Sequence, residues 1–352
     1  MLVDSPSGSR AGVVAAPVPP RPGRRTAIRT AGLLVSLVVL AAVLVASIAI
    51  GAKPLSVEQV WHGLFQDTGR YADVVVGERI SRTLLGLLAG AALGLAGAVL
   101  QALTRNPLAD PGILGINMGA SAAVVTAISF FGVTSLSGYV WFAFVGAAAV
   151  GALVYVLGGT RNATPVRLAL AGTAVTAALS GYLYAVMISD DMALNRMRFW
   201  QVGSLATATM GTVRQVLPFI VVGIVVALAL ARPLNAMAMG DDTARALGAR
   251  LGRTRALSMG AATLLCGAAT AACGPIVFVG LMVPHIVRSF TGPDMRWILP
   301  YAALLSPVLL LGADVVGRIV ARPAELQVGI VTAVLGAPVF ILLVRRRKLA
   351  QL

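Results

Sequence analysis

Few side chains in this 352-residue chain are spaced to do covalent chemistry. Its two cysteines, Cys266 and Cys273, stand seven apart, which places them on one helix face two turns from each other. That separation exceeds the reach of a disulfide, and the pair reads as buried packing thiols. The two histidines, His62 and His285, are far apart and lack metal-ligand spacing. A phosphate-cradling P-loop needs a lysine directly after glycine. Lys53 follows Ala52 and Lys348 follows Arg347, so the chain cannot hydrolyse ATP by that route. Two acidic pairs remain, Asp190–Asp191 and Asp241–Asp242. Hard divalent cations want several oxygen ligands together, and the charge topology below puts the two pairs on opposite sides of a membrane. Asp241–Asp242 also reads as negative charge in the first turn of a short helix. The expectation is a non-enzymatic chain with no metal or cofactor of its own.

The elements that carry these residues are set by composition. Hydrophobic residues make up 58% of the chain, charged residues 12%, and the mean hydropathy is +0.89, which excludes an ordinary soluble domain. The net charge of +15 raises nucleic acid as a partner. Most basic residues sit beside apolar runs, however, so the excess of positive charge on the cytoplasmic side of a membrane is the better account, and no nucleic-acid partner is expected.

One polar island organises the rest. Arg232–Arg255 carries five arginines and two aspartates, with Gly240 and Gly248 dividing it into short pieces. Uncharged runs flank it, Gln215–Ala231 before and Ala256–Val287 after. Flanks of that length mark membrane spans, and the basic excess marks the island as a cytoplasmic loop. Its apolar positions suit one or two short amphipathic helices lying against a partner.

In chain order, residues 1–30 read as a disordered cytoplasmic tail rich in Pro, Gly, Ser and Arg. Spans are expected at Ala31–Ala52, Thr83–Leu103, near 113–131 and 139–158, at Leu168–Ser189 and through Gln215–Ala231. The second carries glycines at 86, 90, 94 and 97, a stripe that lets another helix approach closely. Thr104–Gly119 is broken by two prolines and three glycines, so its backbone must be buried in protein or line an aqueous cavity. After the island, Cys273–Gly274–Pro275 should break the long apolar run. Both termini are basic and read as cytoplasmic, which requires an even number of crossings. Counting the run from Ala256 to the break as the seventh span, a short crossing near 276–287 and spans near 298–316 and 328–344 bring the total to ten. The spans hold almost no ionisable group, with Asp314 near an outer end, so an ion-coupled secondary transporter is disfavoured. An integral membrane transferase lacks its second acidic cluster.

Five ordered segments then resemble the FecCD-type permease subunits of ABC importers. They are RTLLGLLAGAALGLAGAVLQALTRNPLADPGILGINMGA (82–120), FWQVGSL (199–205), NAMAMGDDTARALG (235–248), CGPIVFVGLMVPHIVR (273–288) and ELQVGIVTAVLGAPVFILL (325–343). The resemblance implies an all-α polytopic membrane protein with the BtuC-like, type II importer permease fold, its ten-helix domain over 31–348 and its coupling loop at 232–255. It also implies a second permease subunit, two cytoplasmic ATPase subunits that bind ATP and magnesium, and an extracytoplasmic solute-binding protein. The substrate class it implies is a ferric siderophore, with haem and vitamin B12 as alternatives. By the same resemblance, Gly240, Asp241, Ala244, Leu247 and Gly248 belong to the helices that seat in the ATPase. Asn162, Ala163 and Thr164 correspond to a cytoplasmic gate. Arg79, Arg82 and Arg318 match outer arginines that meet acids on the binding protein, against the plainer reading of arginines snorkelling at helix ends.

Overall fold

The structure is a computed structural model and describes residues 22–65, 70–133, 135–159 and 165–345. Every regular element among these residues is helical. In chain order they are α1 (Pro22–Ala49), α2 (Val57–Phe65), α3 (Tyr71–Thr104), a 3-10 turn (Pro111–Leu114), α4 (Ile116–Phe131), α5 (Leu136–Leu157), α6 (Pro165–Ser189) and α7 (Asp191–Trp200). There follow α8 (Met210–Ala229), α9 (Ala231–Ala238), α10 (Asp241–Ala246), α11 (Leu251–Cys273), α12 (Val279–Thr291), α13 (Met295–Val320) and α14 (Val328–Arg345). Seven are long and apolar enough to cross a membrane: α1, α3, α5, α6, α8, α11 and α13. α4 and α14 are apolar but shorter, and α12 has 13 residues.

Two boundaries differ from expectation for identifiable reasons. The tail expected over residues 1–30 is helical from Pro22, because proline is tolerated in a first helical turn and the segment is tied to α13. There the Tyr301 hydroxyl donates to the Arg29 carbonyl at 2.6 Å, and the Arg29 guanidinium lies over the Trp297 ring. Residues 1–21 lie outside the described residues. The second span begins at Tyr71 and not at Thr83: of the charges in that stretch, Arg79 and Arg82 are engaged inside the protein, Asp73 closes the first turn of the helix, and Glu78 is exposed.

α3 is the central post. It packs against α13, α11 and α12, while α4 pairs with α5, and α11 also meets α8 and α5. The glycine stripe explains how. Gly90 faces the backbone of Pro307 on α13, and a Cβ at Gly97 would collide with the Gly280 carbonyl of α12. Without a hydrophobic force between helices in lipid, such close approach is what gains dispersion contacts. Gln101 continues the same face, its amide donating to the Gly280 and Leu281 carbonyls at 3.2 and 3.1 Å. The break after α11 is made by Gly274 at φ +74 and Phe278 at φ +70. Its backbone is met by the loop after α7, where the Ser204 amide donates to the Cys273 carbonyl at 2.8 Å. The two conspicuous segments FWQVGSL and CGPIVF are thus one packed unit.

Candidate functional site

At the end of the bundle that carries the polar island, α9 and α10 form a short helical hairpin. Gly240 (φ +104) opens α10 and Gly248 (φ +81) closes it, both in backbone that favours glycine. Beyond α10 the Gly248 amide donates to the Arg245 carbonyl and the Ala249 amide to the Ala244 carbonyl, both at 2.9 Å. That pair of bonds is the Schellman closure that ends a helix on a left-handed glycine.

The hairpin is held by one carboxylate. Asp241 accepts from Arg105 Nη2 and from Arg255 Nη2, each at 2.6 Å, so it joins the end of α3 to the start of α11. The same Arg105 nitrogen donates to the Met237 carbonyl at 2.6 Å. Burial works to raise the Asp241 carboxyl, but the hydrogen bonds and charges of the two arginines outweigh it and hold the group below the usual carboxylate range. A second pin lies beside it. The Asn235 amide donates to Asp294 Oδ1 at 2.6 Å and accepts from the Met295 amide at 2.8 Å. Asp294 is partly buried, which opposes ionisation, yet Arg296 and Asn235 bring its carboxyl down to about 2.

The structure therefore divides the five island residues expected to meet an ATPase. Leu247 is exposed, as are Met239 and Asp242. Ala244 is fully buried and Asp241 is engaged inside the chain, so neither offers its side chain outward. Gly240 and Gly248 shape the hairpin. Arg105 was missed by sequence reasoning, although it stands in the broken segment that follows α3. The expected gate, Asn162, Ala163 and Thr164, lies outside the described residues.

At the opposite end the three arginines expected on the surface turn inward. Arg318 is 1% exposed and Arg79 is 6% exposed. Arg79 Nη1 donates to the carbonyls of Ile48 and Ala49, and Arg318 Nη1 to those of Ser47 and Ile50, at 2.8–3.0 Å. These are the last carbonyls of α1 and that of Ile50 just beyond it, where the helix leaves carbonyls without an internal partner and carries its negative dipole end. Asp314, fully buried, ties the cluster together. It accepts from Arg318 Nη2 at 2.6 Å and from Arg82 Nη2 and Nε at 2.7 and 3.0 Å. Arg82 also donates to Glu325 at 2.6 Å, and Glu325 is the more exposed partner. In this conformation Arg79 and Arg318 are a helix cap and not a presented surface. The reason is topological: α1 ends beside α3 and α13, and its carbonyls claim the guanidinium groups first.

The remaining candidate chemistry is structural. Cys266 and Cys273 are buried and free; the Cys273 thiol donates to the Ala269 carbonyl at 2.9 Å. Asp190 caps α7 through the Met192 and Ala193 amides, while Asp241 belongs to the island, so the two acidic pairs share no site. Next to the Asp314 cluster lies a cavity of about 350 Å³, lined by Arg82, Tyr139, Arg196, Phe199, Trp200 and Gln327.

Comparison with known proteins fits this geometry. The FecCD transport family matches residues 39–346. The ferric enterobactin transport system permease protein FepD of Escherichia coli K12 is 46% identical over 325 residues, covering 91% of this chain and 96% of that protein. The hemin transport system permease protein HmuU of Yersinia pestis is 37% identical over 322 residues, 90% of this chain and 95% of that one. A solved inward-facing structure, described as a metal-chelate type ABC transporter, superposes with a TM-score of 0.80 at 29% identity, covering 90% of this chain and 99% of its own. An all-helical bundle built on a glycine-striped central helix, matched along nearly all its length, belongs to the FecCD transport family.

Proposed function

We propose that this chain is the permease subunit of an ATP-driven importer that carries a ferric siderophore across the cytoplasmic membrane, two copies or two related chains forming the path. The observation that carries the reading is the pinned α9–α10 hairpin, with Leu247, Met239 and Asp242 directed outward, in a chain 46% identical to a ferric enterobactin permease. A rigid, outward-facing helix pair is what a separate ATPase needs in order to push. A loosely tethered loop would dissipate the stroke.

In this proposal α4, α12 and α14 cross as short helices beside the seven long ones, for ten crossings, with both termini on the island's side. α12 rises only about 20 Å over its 13 residues, short of the roughly 30 Å hydrocarbon core. Irregular backbone such as Gly274–Phe278 completes such a crossing where it is covered by protein, and the loop after α7 covers it here. Gly240, Leu247 and Gly248 then belong to the coupling element, and residues 162–164 to the gate that closes the path.

Docking of an extracytoplasmic binding protein narrows to the rim where Arg82 and Glu325 meet beside the 350 Å³ cavity. Arg82, Arg196 and the rings of Tyr139, Phe199 and Trp200 suit an anionic, aromatic chelate passing that mouth. An ion-coupled carrier is disfavoured on the same grounds, because the buried carboxylate Asp314 is already neutralised by two arginines. Haem and cobalamin are the alternatives within the same transport class.

The test is to purify the chain with its ATPase and binding protein in lipid discs and measure ATP hydrolysis with ferric catecholate, ferric citrate, haem and cobalamin. Stimulation by a ferric siderophore is expected. Stimulation by haem or cobalamin alone would overturn the substrate, and failure of any ATPase to copurify would overturn the class.

A further inference from the structure

Beside the island lies a second cavity, of about 450 Å³, between the end of α3, α9, the end of α12 and the start of α13. Its floor is polar and unfinished. Arg288 Nε and Nη1 are buried and have no hydrogen-bond partner. Gln101, fully buried, spends its amide nitrogen on α12 carbonyls and leaves Oε1 buried without a donor. Arg105 also borders the cavity and shares Asp241 with Arg255, while Asp294 is closed by Arg296. Among the described residues that line the cavity, Arg288 is the arginine with no carboxylate partner, and the shared Asp241 leaves Arg105 and Arg255 together net positive beside it. The walls are apolar, built from Ala102, Leu234, Ala238, Met239 and Pro293.

A guanidinium with two buried, unpaired nitrogens and no counter-ion is unfavourable next to lipid, and its planar fork matches the oxygens of a phosphate. The orphan acceptor of Gln101 asks in addition for a hydroxyl or amine donor. Apolar walls above such a floor exclude a small hydrated anion and suit an amphiphile. Depth agrees, because α3 and α12 both end here, at the level where charged residues resume and headgroups lie.

We infer that this cavity binds the headgroup of an anionic glycerophospholipid such as phosphatidylglycerol, its phosphate on Arg288 and a headgroup hydroxyl donating to Gln101. The bound lipid would also fill the gap between α3, which supplies Arg105 to the island, and α9, which carries Asn235. It would thus brace the coupling hairpin from behind. The placement at the inner headgroup level rests on the topology proposed above; the binding itself does not.

The experiment is native mass spectrometry of the full-length chain, delipidated in detergent and titrated with phosphatidylglycerol, phosphatidylcholine, glycerol 3-phosphate and inorganic phosphate. Retention of phosphatidylglycerol over phosphatidylcholine is expected, and Arg288→Gln should weaken it by about tenfold. Gln101→Leu should weaken phosphatidylglycerol while leaving residual anionic-lipid binding. Should Arg288→Gln fail to accumulate, Met239→Glu tests the same site, since it places a repelling charge on an exposed wall residue without touching the floor. Equal retention by parent and variants would overturn the site. Equal binding of free phosphate would overturn the lipid as its source. Loss of lipid binding on adding the ATPase, with a carboxylate of that subunit cross-linking at Arg288, would show a protein partner instead. Each outcome is read as bound mass and is independent of which chelate is transported.

Discussion

Asp314 and Asp241 each gather two arginines, one at either end of the bundle, and the surroundings make them different devices. Asp314 is wholly buried, with Arg318 1% exposed beside it and Arg82 closing the other side. Asp241 is about one-third exposed, and its arginines come from elements that frame the island. A buried cluster is strongly destabilised by loss of one member, because the others are left charged and desolvated. A half-exposed one is screened by water, and its worth lies in geometry. The Asp314 cluster therefore reads as a permanent weld between α1, α3 and α13, the Asp241 one as a pin that positions the α9–α10 hairpin.

The largest test of this contrast is Asp314→Asn, which keeps the shape and removes the charge that neutralises Arg82 and Arg318. A loss of about 3–5 kcal/mol is expected, seen as failure to extract monodisperse protein or as a large drop in melting temperature. Glu325→Gln, at the exposed edge of the same cluster, should cost no more than about 1 kcal/mol. Equal effects of the two would end the distinction between weld and rim.

Gly248→Val should come next. The φ of +81 is strained for a β-branched residue, at about 1–3 kcal/mol, and the strain falls on the closure of α10. Siderophore uptake is expected to fail while basal ATP hydrolysis by the copurified ATPase persists. Normal uptake at normal expression would remove the hairpin from coupling.

The pins on the α9–α10 hairpin should also be sensitive to acid. Asp241 and Asp294 both have folded-state values lowered from the ordinary 3.8, Asp294 to about 2. A lowered carboxyl stabilises the fold above its unfolded value and loses that contribution as pH falls through the folded value. Hydrogen exchange across α9 and α10 should hence quicken as pH falls from about 4 towards 2, after correction for intrinsic rates. In Asp294→Asn the acid-dependent part should shrink. An unchanged acid profile in that variant would show that Asp294 does not hold the hairpin.

A baseline away from both regions is the double variant Cys266→Ala, Cys273→Ala. Each change removes a buried sulfur from α11 and leaves a small cavity, so a loss of about 1 kcal/mol apiece is expected, with transport unaltered. Loss of transport at full expression would reveal a chemical role for a thiol.

Much of the fold was legible in residue order. The apolar runs, the island, the glycine stripe at 86, 90, 94 and 97, and the break at Gly274 all lie where local composition placed them. These features are written in consecutive residues, and lipid enforces the helical ones strictly, because a spanning helix satisfies its backbone groups within its own segment. The start of α1 at Pro22 and of α3 at Tyr71 was not legible. In both cases an arginine that looks soluble in sequence is met by α13: Arg29 lies over the Trp297 ring, and Arg82 pairs with Asp314.

The division between the two sources is sharpest at the arginines. Residue order alone determined that Arg79, Arg82 and Arg318 lie near one end of the bundle and Arg105, Arg245 and Arg255 near the other. It also set the helical class, and the membrane as solvent followed from hydropathy. Only the tertiary structure decided that Arg79 and Arg318 cap α1, that Asp314 joins Arg82 to Arg318 across 232 residues of chain from Arg82, and that Asp241 is a pin while Leu247 faces outward. The physical reason is range. Hydropathy acts residue by residue along the chain, whereas an ion pair depends on which helix ends meet in space, and that is set by how closely α3 lets its neighbours approach.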